Sequence, residues 1–281
     1  MQDTIAVIFD FDETLAPDST STFLDSLGID VKSFWRDTVD PLIDDGWDPV
    51  PAYLYRMIEE SSSDPARAIT QQKLMEWGKQ VQFYNGATRV FDLLRRQVEG
   101  AKANVSVEFY LISSGIGEVL RHTRIARHFN HIWACDFLYG DDGRIVFPKN
   151  VVSLTDKTRY IYQVSKGIYG PEYKGKPFEV NRKVPNELQR IPIDQMIFVG
   201  DGYTDVPCFS LVRKYGGVAI GVYDPADRKR WGRAWGFIED DRVSNLVPAN
   251  YGKNSALTHS LSMAIESMTN RILLRRNSYQ G

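Results

Sequence analysis

The stretch I-A-V-I-F-D-F-D-E-T-L, residues 5 to 15, decides how the chain folds. Ile5 to Phe9 are apolar without a break, and the run stops at Asp10. A short continuous run rich in β-branched residues is the pattern of a strand buried on both faces. Such a strand delivers the residues after it to the carboxyl edge of its sheet, where open α/β folds bind their ligands. Here it delivers Asp10 and Asp12, with Glu13 and Thr14 close behind. Carboxylates crowded at a strand tip repel one another, and each is costly to bury without a partner. The arrangement calls for a cation.

Outward from this tip the pattern changes. Ala16 to Thr22 is small and polar, which predicts a loop. From about residue 20 to 85 the spacing is helical. Asp48-Pro49 fits a helix start, followed by Tyr53, Leu54, Met57 and Ile58 at helical intervals. Ser63-Asp64-Pro65 fits another, with Ile69, Leu74, Trp77 and Val81 behind it. No buried strand is expected in this block. Its aromatic residues, Phe34, Trp35, Trp47, Tyr53, Tyr55 and Trp77, are expected to form its own core. A helical block inserted just after the acidic tip would sit over that tip.

Asn85-Gly86 marks a turn, and Ala87 to Gln97 reads as an amphipathic surface helix. Val105 to Ile112 predicts a second strand, ending in a Ser113-Ser114-Gly115 loop ahead of a helix over Glu118 to His128. A strand, a small polar loop and a helix start can hold an anion with hydroxyls and backbone N–H groups. Ile132 to Cys135 fits a short third strand, and Phe137 to Tyr139 with Arg144 to Phe147 fits a hairpin on a glycine turn. Asp156-Lys157-Thr158 opens the next helix. Lys157 opposes the helix dipole there, so an acidic or anionic site nearby explains it better than local helix energetics. The basic segment 166–190 is expected to be a solvated loop on the side away from Asp10. Gln195 to Val199 predicts another buried strand, ending in Gly200-Asp201-Gly202-Tyr203-Thr204-Asp205, so another strand tip carries acids between glycines that permit tight turns. Gly217 to Val222 fits a further strand, Phe237-Ile238 an edge strand, and Thr258 to Leu274 a terminal amphipathic helix. His122, His128 and His131 lack the spacing of a helical metal pair and are expected at the surface or at helix ends.

The 281 residues carry 34 Lys and Arg against 36 Asp and Glu, with no long basic run, which argues against nucleic acid as the main partner. Cys135 and Cys208 are the only cysteines, which gives neither a disulfide framework nor a cysteine zinc site. No apolar run reaches membrane-spanning length, and the first strand begins too early to leave room for a signal peptide. The expectation is a cytoplasmic protein with no membrane and no nucleic-acid partner.

Parallel strands of one sheet bring their carboxyl ends together. That places Asp10 with Asp12, the Ser113-Ser114-Gly115 loop, Lys157, and Asp201 with Asp205 on one edge. At this point the sequence resembles the haloacid dehalogenase (HAD) superfamily of phosphohydrolases, most of all its phosphoserine-phosphatase-like branch. That family's D-x-D-x-T/V, Ser or Thr, Lys and G-D-x-x-x-D motifs are met by Asp10-Phe11-Asp12-Glu13-Thr14, Ser113, Lys157 and Gly200 to Asp205. The resemblance covers about residues 4 to 15 and 86 to 240. One departure is Thr204, where the branch usually has Asn. The short hairpin before Lys157 leaves no room for the larger cap that other members insert there.

The resemblance implies an α/β fold: a Rossmann-like parallel sheet with helices on both faces, formed by residues 1–18 and 86–281, plus an α-helical cap inserted as residues 19–85. It implies a phosphatase that hydrolyses a small phosphorylated metabolite through an aspartyl-phosphate. Asp10 would be the nucleophile and Asp12 the acid–base. Ser113, the N–H of Ser114 and Lys157 would hold phosphoryl oxygens. Mg2+ would be bound by Asp10 and Asp201, by the main-chain carbonyl of Asp12, and by Asp205 through water unless Asp205 instead orients Lys157. The dehalogenases of the superfamily lack the second Asp, and its ion pumps have Thr there, so Asp12 favours ester hydrolysis. The alternatives are a phosphomutase or phosphotransferase using the same intermediate, and a non-catalytic binding protein retaining the fold.

Overall fold

The apolar run at the start of the chain becomes the middle strand of a seven-stranded sheet. This is seen in a computed structural model, which describes residues 2–100, 104–226 and 236–278. The strands are β1 (Thr4–Phe9), β2 (Ser106–Ile116), β3 (His131–Tyr139), β4 (Ile145–Asn150), β5 (Met196–Gly200), β6 (Val218–Tyr223) and β7 (Asn245–Pro248). Their order is β4-β3-β2-β1-β5-β6-β7. All neighbours are parallel except β3 and β4, which form the expected hairpin. Ile5 to Phe9 have no exposed surface, because β1 is flanked by β2 and β5 and covered on both faces. One pair of helices, Val90–Gly100 and Ala256–Ser278, packs together against the sheet; a second pair, Asp156–Lys166 and Val206–Lys214, does the same.

The strand order turns back at β1. The chain first builds outward through β2, β3 and β4, then returns to add β5, β6 and β7 on the other side. Such a reversal opens a crevice at the carboxyl ends of the strands, and Asp10 stands at that point.

Between β1 and β2 lie the helices Ser19–Ser26, Pro49–Ser63 and Gln71–Gln80, with residues 31–44 helical through a π turn at Phe34–Val39. Each of the three is started by a side chain accepting a backbone N–H: Asp18 from Ser21, Asp48 from Val50 and Thr70 from Lys73. The expected start at Ser63-Asp64-Pro65 yields only a 3₁₀ turn, Pro65–Arg67. Phe34 and Tyr53 are buried as expected, but Trp47 and Tyr55 are exposed and pack on each other. The block also grips the hairpin: Gln71 N–H donates to Gly143 and Ile145 N–H to Ile69.

Several local expectations change. Ser113, Ser114 and Gly115 are not a loop but the irregular end of β2. Ile112 pairs with Trp133 and Ile116 with Cys135, so four steps along β2 match two along β3, a bulge of two extra residues. The helix after it is short, Gly117–Arg121, and the chain resumes as a 3₁₀ turn at Ala126–His128. His128 is a core residue stacked on Phe91, with ring centroids 4.7 Å apart. Phe237-Ile238 is helical, with Phe237 packed on Tyr203 and Phe209, and the edge strand is β7 instead. Two apolar residues in a row cannot distinguish a helical turn from a strand. Segment 166–190 is mostly exposed, with three 3₁₀ turns. Gln2 donates to the carbonyls of Asn186 and Gln189, which ties the end of the segment to the amino edge, away from Asp10. Cys135 and Cys208 are buried and unpaired. Among the described residues, no helix is long and apolar enough to cross a membrane.

Candidate functional site

Asp10 is the first residue past β1. Its N–H donates to Val199 O at 2.9 Å, which carries the pairing with β5 to the strand tip. Its Oδ1 accepts from Phe11 N–H at 2.8 Å, and its Oδ2 lies 3.0 Å from Lys157 Nζ. The chain then coils tightly, with Phe11 O accepting from the N–H groups of Thr14, Leu15 and Ala16. That coil leaves Asp12 half-buried, with its Oδ1 accepting from Ser19 N–H at 2.7 Å.

Lys157 comes from the first turn of the Asp156–Lys166 helix and has no exposed surface. Its ammonium lies 2.7 Å from Asp205 Oδ1, 3.0 Å from Asp10 Oδ2 and 3.3 Å from Thr204 Oγ1. All three ammonium hydrogens therefore have acceptors. Thr204, the departure from the family pattern, keeps a hydroxyl contact to this lysine. Asp205 Oδ2 accepts from the N–H groups of Asp201 and Gly202. Gly200 is required beside it, since a Cβ there would meet Asp205 Oδ2 at 2.3 Å.

Oxygens of Asp10, Asp201 and Asp205 all lie within 4.8 Å of one another. Burial first, then Asp205 and Asp10, push the Asp201 carboxyl well above the usual carboxylate range. Burial and Asp10 push Asp205 up to about 6, against the pull of Lys157. Burial disfavours the charge on Lys157, but Asp10 and Asp205 outweigh it and raise its pKa. Two of these three acids, Asp10 and Asp205, contact Lys157, and the excess negative charge in a set of hard oxygen donors fits Mg2+. The Asp12 side chain stands outside this set, turned to Ser19 and Gly115. Burial, Asp18 and Asp10 together push its carboxyl up to about 8.

Ser113 is buried, and its Oγ accepts from Gly115 N–H at 2.9 Å. Ser114 differs: its carbonyl accepts from the Tyr53 hydroxyl, and its own Oγ is buried with no partner among the described residues. A side chain at Gly115 would displace Asp12, because a Cβ there would meet Asp12 Oδ2 at 2.6 Å.

The contacts of two participants were not identifiable from sequence. Tyr53 lies sixty-one positions from Ser114 along the chain, and nothing in its helical spacing separates it from an ordinary core aromatic. Glu13 takes up a left-handed backbone (φ 57°), which is uncommon for a residue with a side chain. It accepts from Asp18 N–H and from the Tyr84 hydroxyl, so it touches the chain both entering and leaving the helical block.

No protein-family model matches the chain. A curated protein of Borreliella burgdorferi, described only as uncharacterized, is 27% identical over 284 residues, spanning 90% of this chain and 93% of its own. Among solved structures, a HAD-family hydrolase from Salmonella enterica serovar Typhi superposes with a TM-score of 0.56 at 12% identity, covering 87% of this chain and 67% of that one. A phosphoserine phosphatase solved as a phospho-aspartyl intermediate analogue superposes with a TM-score of 0.53 at 14% identity, covering 93% of this chain and 99% of that one. The chain thus has the α/β fold of the HAD-family hydrolases and phosphoserine phosphatases.

Proposed function

We propose that the protein is a Mg2+-dependent phosphatase that hydrolyses a small phosphomonoester through an aspartyl-phosphate on Asp10. The observation that carries this is the buried Lys157, shared between Asp10 and Asp205 at the point where the strand order reverses. A lone buried carboxylate would take up a proton and lose its nucleophilicity. Lys157 sets a positive charge 3.0 Å from Asp10 Oδ2, where a phosphoryl group would be presented. The phospho-aspartyl analogue of the phosphoserine phosphatase supports the same chemistry on this fold.

In the first step an Asp10 carboxylate oxygen attacks phosphorus, and the bond from phosphorus to the ester oxygen breaks. Asp12, whose carboxyl burial, Asp18 and Asp10 push up to about 8, gives a proton to the departing oxygen. In the second step Asp12 takes a proton from water, and the water oxygen attacks phosphorus. The acyl-phosphate bond breaks, releasing inorganic phosphate and free Asp10. Ser113 and the Ser114 N–H hold phosphoryl oxygens through the transfer. Lys157 joins them by exchanging its longest contact, to Thr204, for a phosphoryl oxygen. Asp10 and Asp201, with the carbonyl of Asp12, would hold Mg2+. Asp205 serves to orient Lys157, because its two oxygens are already engaged by three donors. Bound Mg2+ would supply positive charge against the phosphoryl dianion.

Residues 19–85 act as a cap over a core of residues 1–18 and 86–281. Ser19 N–H on Asp12 and the Tyr53 hydroxyl on Ser114 bring this block into the site, and Asp10 is only 6% exposed beneath it. A covered site of this kind favours a small metabolite over a folded phosphoprotein. The test is phosphate release from a panel of small phosphate esters and an aryl phosphate, with Mg2+ and with EDTA. Mg2+-dependent release, abolished by Asp10→Asn, is expected; release that survives Asp10→Asn would remove Asp10 as nucleophile.

A further inference from the structure

The Ser114–Gly115 peptide group is held at both ends. Its carbonyl accepts from the Tyr53 hydroxyl, and its N–H donates to Ser113 Oγ at 2.9 Å. Among the described residues, Ser113 Oγ makes one hydrogen bond, and in it the oxygen is the acceptor. The serine's own hydrogen therefore remains for an outside acceptor. The peptide lies in the bulge of β2, where the ladder to β3 is interrupted between Ile112 and Ile116. Sheet pairing does not fix its orientation there, so the two hydrogen bonds do.

Tyr53 is well placed to fix it. It is buried, it sits on the Pro49–Ser63 helix, and its ring packs on Trp35. The start of that helix is anchored to the core: Asp48 accepts from Val50 N–H and also from the Ser153 hydroxyl, at 2.8 and 2.9 Å. Ser153 lies four residues before Lys157. The helix is thus registered against the segment that supplies Lys157 and against the peptide that sets Ser113.

We propose that Tyr53 is a positioning residue: its hydroxyl, carried by the inserted helical block, orients the Ser114–Gly115 peptide and through it presents the Ser113 hydroxyl hydrogen to a phosphoryl oxygen. This rests on the phosphatase reading above. Its consequence is that the phosphate cradle is complete only with the helical block seated on it.

The test is a double-mutant cycle read by calorimetry of inorganic phosphate binding in Mg2+, on wild type, Tyr53→Phe, Ser113→Ala and the double variant. Tyr53→Phe keeps the ring and removes the hydroxyl. It is expected to weaken phosphate binding about tenfold, the weight of one hydrogen bond. If Tyr53 acts through Ser113, it is expected to cost nothing further in the Ser113→Ala background. Met57→Leu, a core change on the same helix, is expected to bind phosphate as wild type does, separating loss of the hydroxyl from loosened packing. Wild-type affinity in Tyr53→Phe, or losses that multiply in the double variant, would overturn the role. A wild type that binds no phosphate overturns the phosphatase reading itself and the role with it, and differs from the first result because every protein is then silent.

Discussion

The Lys157 ammonium nitrogen stands 3.0 Å from Asp10 Oδ2, with Lys157 wholly removed from solvent. Breaking a buried ion pair by removing one partner typically costs about 3–5 kcal/mol, because the other charge is left without compensation. Here two acids lose their partner at once. Lys157→Met should lose stability of that order in urea unfolding with EDTA, and Mg2+ should restore part of it. Phosphatase activity should fall roughly 100- to 1000-fold. Unfolding in EDTA at the wild-type midpoint would show that the pair does not matter to the fold.

The raised acids give the metal-free protein an inverted pH dependence. Burial and neighbouring acids push Asp12 up to about 8 and Asp205 up to about 6 in the fold, and raise Asp201 as well; a free aspartate titrates near 3.9. Between those values the folded state binds more protons than the unfolded chain, so stability falls as pH rises. Urea midpoints in EDTA should decline from about pH 4 to about pH 8, and Mg2+ should flatten the decline by binding the deprotonated acids. Midpoints that climb across that window would contradict the buried cluster.

Asp12 is assigned both proton transfers, and the two can be separated. With an aryl phosphate the leaving phenolate needs no proton, so Asp12→Asn should still complete the first step. Stopped-flow mixing should show a burst of about one phenol per protein, then turnover reduced roughly 100- to 10,000-fold. Steady turnover at the wild-type rate would remove Asp12 as the base.

Gly115 leaves no room for a side chain beside Asp12. Gly115→Ala puts a Cβ against Asp12 Oδ2 at 2.6 Å, and the carboxylate must swing away. Overpacking of this kind costs about 1–3 kcal/mol. The turnover number should drop at least tenfold, with a smaller change in KM. Unchanged turnover would show that the observed Asp12 position is not the working one.

How much of the fold and the site was legible in the sequence varies with the kind of signal. Ile5 to Phe9 announced β1, because a strand buried on both faces has to be apolar throughout. Asp10, Asp201, Asp205 and Lys157 were legible because each comes just after a strand or opens a helix, and parallel topology then brings them together. The end of β2 reads as a loop in the sequence, because Ser113, Ser114 and Gly115 are small and polar, while the bulge that accommodates them depends on pairing with β3. Phe237-Ile238 failed for lack of length. Tyr53 stands out in the sequence as a core aromatic and Glu13 at the acidic tip, but the contacts of neither can be read there. Their partners, Ser114 and Tyr84, are distant in sequence, and a hydrogen bond between distant residues leaves no local pattern.

Phosphoryl transfer to Asp10 can be read directly. The direct measurement is mass spectrometry of the Asp10 peptide after rapid acid quench of the protein turning over an aryl phosphate in Mg2+. The predicted result is one added phosphoryl group on that peptide, absent in EDTA and absent in Asp10→Asn. Sustained phosphate release with an unmodified Asp10 peptide, or the same label in Asp10→Asn, would contradict the account.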